Sequence, residues 1–164
     1  MNLSHKTLCT LILFFALLAP SIALAQHTRP DQWHLFASGG GWSEFGGAQV
    51  GGGIGYERLF FKGLGAGADL EAFGGSTSGF LASANASYHF RGLGAGKVVP
   101  FGTIGVSLGQ ASKSDGDALG GYNFGGGINY WIKPNRGLRA EFRDHMLAYD
   151  VDTYKWELRL GFAF

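Results

Sequence analysis

Apolar and polar residues alternate strictly through the last eleven positions of the chain. The apolar members of this segment are Tyr154, Trp156, Leu158, Leu160, Phe162 and Phe164. The positions between them hold Lys155, Glu157, Arg159, Gly161 and Ala163. Because successive side chains of a β-strand point to opposite faces, this pattern predicts a strand with one apolar face and one polar face.

The same period of two recurs along most of the chain, although frequent glycines blur it in the first half. It predicts strands over residues 33–42, 48–57, 64–74, 80–90, 98–110, 122–130, 138–146 and 154–164. Two positions break the alternation, because Leu81 falls on a polar face and Asp144 on an apolar one. Eight successive strands of about ten residues predict an all-β fold, a closed eight-stranded antiparallel up-and-down barrel.

The two faces of the predicted strands decide which side of the barrel is inside. A soluble barrel turns its apolar faces inward, whereas a membrane barrel turns them outward. Here the apolar faces carry bulky aromatic residues on strand after strand, more volume than an eight-stranded lumen holds. The opposite faces are rich in small residues and Asn, which suit a crowded lumen. The pattern therefore predicts a transmembrane barrel whose apolar faces contact lipid.

A short motif marks one end of the barrel. The residues Phe-Lys-Gly-Leu-Gly-Ala-Gly at 61–67 recur as Phe-Arg-Gly-Leu-Gly-Ala-Gly at 90–96, with a weaker echo at 133–138. We interpret these segments as three turns of one kind. The predicted outer face carries a tyrosine just before each turn, at Tyr56, Tyr88 and Tyr130. Because tyrosine is enriched where a bilayer meets water, the three residues predict an interfacial girdle.

Residues 1–25 form a different kind of segment. Lys6 precedes an almost wholly apolar run over 8–18, and Ala23-Leu24-Ala25 provides a small-residue cleavage site. The apolar run is too short to span a bilayer as a helix, so the segment is typical of a cleaved signal peptide. We therefore predict a signal peptide over 1–25 and one barrel domain over 26–164.

Composition narrows the classes of function. The 29 glycines have no collagen-like period, and 15% aromatic residues argue against a disordered chain. A net charge of +1 argues against a nucleic-acid partner. Cys9, the only cysteine, lies in the leader, so the mature chain has no cysteine-based disulfide or metal site. His27 and His34 have no second cluster of ligands, and we predict neither a metal nor a cofactor.

The predicted inward faces gather charges of both signs. These charges are Glu57, Asp69, Glu71, Glu141 and Glu157 with Arg139, Arg143, Lys155 and Arg159, and His89 and His145 accompany them. Unpaired charges in a narrow lumen are costly, so near-neutrality favours a salt-bridged plug over a gate or an ion site. Because the last two strands are neighbours, we expect the charges of residues 139–143 to meet those of 155–159 across one face.

The final segment also carries a family resemblance. Trp156-x-Leu158-x-Leu160-x-Phe162-x-Phe164 after seven amphipathic strands and a leader resembles small bacterial outer-membrane β-barrels of the OmpA and OmpX type. The resemblance implies a monomer in the outer membrane, surrounded by its lipid. It also implies that the barrel assembly machinery reads the last strand as an assembly signal. It covers residues 26–164, and we expect no peptidoglycan-binding domain after the barrel.

These observations predict a structural or surface-interaction protein that is not an enzyme. A narrow pore is the first alternative, and a soluble ligand-binding barrel is another. Some barrels of this size modify lipids, and Ser87 and His89 share a face two residues apart. These two residues point into the predicted lumen rather than toward the bilayer, so a lipid-modifying enzyme is the less favoured alternative.

Overall fold

A computed structural model describes residues 31–43, 46–90, 96–112, 114, 118–148 and 152–164. The predicted signal peptide over 1–25 and residues 91–95 of the second turn motif lie outside the described residues. Within the described ranges, no helix is long and apolar enough to cross a bilayer.

Eight antiparallel strands form a closed barrel, which confirms the predicted fold class. Their bounds are β1 Asp31–Trp42, β2 Ala48–Phe61, β3 Leu64–Gly75, β4 Gly79–His89, β5 Val98–Ala111, β6 Ala118–Lys133, β7 Arg136–Ala148 and β8 Asp152–Ala163. The strands pair in chain order, and β8 returns to pair with β1. At the turn end, β2 and β6 extend beyond their predicted ends, because each continues past a register shift into its hairpin. β6 also begins earlier than predicted, at Ala118.

The first and last strands close the barrel through a regular ladder. The ladder runs from His34 opposite Ala163 to Trp42 opposite Lys155. Beyond it, Trp33 and Phe164 exchange two backbone hydrogen bonds, each 2.9 Å between nitrogen and oxygen. The chain terminus is thus tied to β1, and this sheet has no open edge.

The connections divide the barrel into two ends, which we call the turn end and the loop end. The turn end holds residues 62–63, the described residues 90 and 96–97, and residues 134–135, together with the start of β1 and the end of β8. Lys62 and Gly63 both have positive φ, 40° and 94°, as the two central residues of a type I′ hairpin turn do. A Cβ atom at Gly63 would lie 2.4 Å from the carbonyl oxygen of His89, so glycine is required there.

The strand faces are oriented as a membrane barrel requires. Leu158 on β8 is 51% exposed on the outside, whereas its neighbour Glu157 is 0% exposed inside. The outer surface carries large apolar side chains on every strand, and ion pairs fill the lumen. This arrangement inverts that of a soluble barrel and is the arrangement of a transmembrane β-barrel.

Apolar side chains form a layer inside the barrel at the loop end. Its members are Trp42, Phe73, Leu81, Ala111, Leu119 and Leu147. Leu81 breaks the alternation of β4 in the sequence because it belongs to this layer rather than to the outer surface. Below the layer, toward the turn end, lie the charged residues.

Candidate functional site: a charged network in the barrel lumen

All nine residues of the predicted lumen network are buried and connected. The connection starts at the turn end, where Arg139 lies 3.4 Å from Glu57 and 3.1 Å from Glu141. Arg143 then joins Glu141 at 2.5 Å and Asp69 at 2.6 Å. All these distances join a side-chain nitrogen to a carboxylate oxygen, and the two arginines bridge three acids.

The second half of the network lies nearer the loop end. Arg159 approaches Asp69 at 3.6 Å, Glu71 at 3.0 Å and Glu157 at 2.5 Å. Lys155 lies 3.1 Å from Glu71 and also pairs with Glu157. Because Arg143 and Arg159 share Asp69, the nine side chains form one continuous set of ion pairs across the lumen.

The pairing differs in one respect from the sequence-based expectation. The register sets Glu141 opposite Arg159 and Arg143 opposite Glu157, yet within the described part of the chain these pairs are not among the ion pairs closer than 4.0 Å. The arginines and Lys155 instead bind acids two residues away on their own strand and acids on β2 and β3 across the lumen. The side chains of arginine and lysine are long enough to cross the narrow lumen. They therefore reach acids on other strands rather than the residue directly opposite on the neighbouring strand.

Three histidines each contact a carboxylate of the network. The ring nitrogen Nε2 lies 2.9 Å from Asp69 in His34, 3.0 Å from Glu57 in His89 and 3.2 Å from Glu157 in His145. His34 was not assigned to the lumen from sequence, because its partner is on β3, two strands away. Within the described residues, no group of three or more His, Asp or Glu side chains is arranged to hold a metal ion.

Two glycines of β2 make room for contacts between β1 and β3. The Ser38 hydroxyl donates a 2.6 Å hydrogen bond to Glu71, and a Cβ atom at Gly51 would lie 2.7 Å from that hydroxyl. The Cβ atom of a residue at position 55 would lie 2.1 Å from the His34 ring and 2.2 Å from Asp69. The glycines of this strand therefore allow side chains to bond across it.

Three cations of the network also contact aromatic rings inside the barrel. The Arg139 guanidinium lies 3.8 Å from the ring centre of Phe101, and that of Arg159 lies 4.4 Å from Phe36. The Lys155 ammonium lies 5.3 Å from the Phe73 ring. Such contacts favour a desolvated cation. The sequence does not indicate these inward rings, because Phe36, Phe73 and Phe101 lie on strand faces that otherwise carry mainly small, polar or charged residues.

Ser87 and His89, the two residues considered for catalysis, both contact a carboxylate of the lumen network. The Ser87 hydroxyl donates a hydrogen bond to Glu57, and His89 contacts the same carboxylate. The structure also shows a Ser-His-Glu set that the sequence did not indicate. In it, the Ser107 hydroxyl lies 3.0 Å from Nδ1 of His145, and Nε2 of His145 lies 3.2 Å from a carboxylate oxygen of Glu157. All of these side chains are buried inside the barrel, on the faces turned away from its apolar outer surface.

The structure places the predicted girdle and assembly signal on the outer surface. Tyr56, Tyr88 and Tyr130 all lie near the turn end, and the Tyr56 hydroxyl donates a 2.5 Å hydrogen bond to Asp31. The alternating outward positions of β8 and the terminal residue are Trp156, Leu158, Leu160, Phe162 and Phe164, all exposed. Their roles at the interface and in assembly remain predictions.

Several solved structures share this fold. The protein is similar to Neisserial surface protein A (NspA), with a TM-score of 0.64 and 20% identity, over 82% of this chain and 96% of that one. The N-terminal β-barrel domain of Pseudomonas aeruginosa OprF gives a TM-score of 0.59 and 16% identity over 81% and 97%. Ail, the attachment invasion locus protein of Yersinia pestis, solved with the heparin analogue sucrose octasulfate, gives 0.53 and 16% over 82% and 97%.

The sequence itself matches no protein-family model and no curated protein. The structural likeness covers the whole barrel and agrees with the apolar outer surface and the charged lumen. An outer-membrane location, predicted from the sequence, agrees with that fold. The chain has the fold of the small eight-stranded β-barrels of the bacterial outer membrane.

Proposed function

We propose that the protein is an integral outer-membrane barrel with a structural or surface-interaction role and a lumen closed to solutes. The observation that carries this proposal is the continuous set of ion pairs from Glu57 to Lys155 across the interior. A conducting pore needs a water-filled path lined by charges that an ion meets in passing. Here each charged side chain of the network forms an ion pair with another.

A cavity among the charged side chains is small, which supports closure. A cavity lined by His34, Glu57, Asp69, Arg139 and Arg143 among others has a volume of about 10 Å³. That is room for about one water molecule. The apolar layer containing Trp42 and Leu81 covers the network at the loop end, so an ion from that side meets apolar side chains first.

The buried polar groups support a role without catalysis. Ser87, His89, Ser107 and His145 are hydrogen-bonded within the lumen and turned away from lipid. Ail, a protein of the same fold, was solved in complex with the heparin analogue sucrose octasulfate, which is consistent with a binding role for such a barrel. We therefore assign the interactions of this protein to its outer surface and its two ends.

Location and closure are tested together by expressing the protein in a Gram-negative host. We expect it in the outer-membrane fraction, with an electrophoretic mobility that changes on boiling, as a stable barrel shows. Purified protein in vesicles is expected to leave the permeability to small sugars at the level of empty vesicles. Recovery from the soluble periplasm, or sugar uptake that rises with protein content, would contradict the proposal.

A further inference from the structure

Three exposed cations lie on neighbouring backbone segments at the turn end, next to β5, β6 and β7. Lys133 and Arg136 are the facing residues of the β6–β7 hairpin. The carbonyl of Lys97 accepts a 2.8 Å hydrogen bond from the backbone nitrogen of Trp131, which brings Lys97 beside the same hairpin. All three side chains are exposed. We call these three residues the basic cluster.

Among the residues that the structure describes, no carboxylate lies within 4.0 Å of the charged nitrogens of the basic cluster. The segments 62–63, 90–97 and 134–135 contain neither Asp nor Glu. Asp31 lies at this end, but it contacts Arg58 at 3.7 Å and the Tyr56 hydroxyl on the β1–β2 side. Like charges facing each other across a hairpin repel, so an anion between Lys133 and Arg136 would relieve that repulsion.

An apolar groove begins directly beside the basic cluster. It has a volume of about 420 Å³ on the outer surface, and its apolar lining includes Ile128, Tyr130, Leu138, Ala140 and Leu160. Ala140 lies between Ile128 on β6 and Leu160 on β8, so a small side chain forms the floor and larger ones the walls. Leu138, opposite Tyr130, lies between this floor and Arg136.

We propose that the cluster and groove together bind one anionic phospholipid of the phosphatidylglycerol class. The phosphate lies against Arg136, Lys133 and Lys97, where guanidinium and ammonium groups donate hydrogen bonds to its oxygens. One acyl chain follows the groove along β7. This inference rests on the proposed function, because only an inserted barrel presents the groove to lipid.

The turn end fits the periplasmic leaflet, which is built from phospholipids. Short turns of outer-membrane barrels lie on the periplasmic side, and two of the three connections at this end have two residues. A phosphorylated lipid of the outer leaflet therefore does not reach the basic cluster.

The test compares lipid retained by the inserted protein. The parent and K97Q/K133Q/R136Q are reconstituted in nanodiscs of phosphatidylcholine with a minority of phosphatidylglycerol, and the lipid that remains bound is quantified by native mass spectrometry. We expect the parent to enrich phosphatidylglycerol. Removing each cation should reduce that preference on the order of fivefold, the factor expected for one basic residue at an anionic surface.

A matched control separates a site from general surface charge. R58Q/K62Q removes two exposed cations from the β2–β3 hairpin, on the opposite side of the same end. We expect this variant to retain the parent's preference. Equal losses in both variants, or an unchanged preference in K97Q/K133Q/R136Q, would overturn the proposal.

A second variant tests the groove. Ala140→Phe fills its floor while leaving the cluster intact, and we expect it to weaken the retention of diacyl phosphatidylglycerol without changing the affinity for soluble glycerophosphate. Equal competition by glycerophosphate and by diacyl lipid in the parent would overturn the acyl-chain contact. Failure of the parent to insert into any bilayer would contradict the proposed function, whereas insertion without lipid preference would contradict the lipid site alone.

Discussion

Gly55 shows how a single small residue positions the network. The His34–Asp69 contact of 2.9 Å passes over this position, and any Cβ atom there overlaps both partners. The absence of a side chain at Gly55 thus leaves room for His34 on β1 to contact Asp69 on β3. The neighbours of Gly55 in the sequence, Gly51-Gly52-Gly53-Ile54 before it and Tyr56 after it, give no indication of which contact the space serves.

Gly55→Ala should therefore destabilise the barrel by roughly 1–3 kcal/mol, the cost of losing a buried polar contact. The matched control is Gly39→Ala, where no heavy atom lies within 4 Å of the added Cβ atom. Urea unfolding in lipid vesicles, followed by tryptophan fluorescence, measures both. Similar stability in the two variants would show that the space above residue 55 is not needed.

Glu157 is the acid on which three lumen groups converge. It binds Lys155, Arg159 and His145, and its side chain is fully buried. Glu157→Gln keeps the shape but removes the charge, which leaves two buried cations with one fewer partner. We expect a loss of about 3–5 kcal/mol, because breaking a buried pair leaves an uncompensated charge.

Asp31→Asn is the control for Glu157→Gln. Asp31 pairs with Arg58 at 3.7 Å at the exposed turn end, where ion pairs contribute within about 1 kcal/mol. The same urea titration measures both variants. A Glu157→Gln barrel as stable as Asp31→Asn would mean that the lumen charges do not hold the barrel together.

At the scale of the strand, β8 is the element that sequence predicted best. Its alternation from Tyr154 to Phe164 fixes which side chains face lipid, and the structure has that orientation throughout. β2 was predicted to end at Glu57 but extends to Phe61. The apolar run Leu59-Phe60-Phe61 with its register shift breaks the period of two, so periodicity alone places the end too early.

The sequence predicts which charged residues face the lumen, but it does not predict which of them form ion pairs. Alternation assigns Glu141, Arg143 and Glu157 to the inward faces, since that depends only on local geometry. The partners depend on the shear of the barrel, which decides the heights at which strands face each other across the lumen. For that reason His34 with Asp69, and Phe101 under Arg139, emerged only from the three-dimensional structure.

The orientation of β8 leads to a prediction about depth in the bilayer. Leu158→Arg places a charge on the lipid-facing surface at the middle of the strand, which should cost on the order of 2–4 kcal/mol. Tyr154→Arg makes the same change on the same face near the loop end, where the cost should be about 0–1 kcal/mol. Unfolding in vesicles compares them, and equal costs would contradict the assigned membrane position of β8.

The terminal residue tests the predicted assembly signal. Phe164→Ala removes the ring but keeps both backbone hydrogen bonds to Trp33. We expect slower insertion in cells and accumulation of chain in the periplasm, with unaided folding into vesicles little changed. Tyr122→Ala, which removes another exposed ring on β6, is the control. Normal insertion of the Phe164 variant in cells would remove the support for an assembly role.

At the scale of the whole molecule, the barrel is layered along its axis. The apolar layer around Leu81 lies at the loop end, and the ion-paired network lies below it. The girdle tyrosines and the basic cluster lie at the turn end. The ion pairs neutralise the charges of the interior. The apolar layer separates these ion pairs from the loop end, so both layers contribute to closing the lumen. Together they predict a barrel that spans the membrane without conducting.

Single-channel recording in planar bilayers tests this closure most directly. With the parent protein inserted at known density, we expect no discrete conductance steps at moderate voltage, because the ion-paired network and the apolar layer occupy the lumen of the described barrel. Stepwise currents with a defined cation preference, shifted by Glu157→Gln without loss of stability, would contradict the account and identify the lumen as a pore.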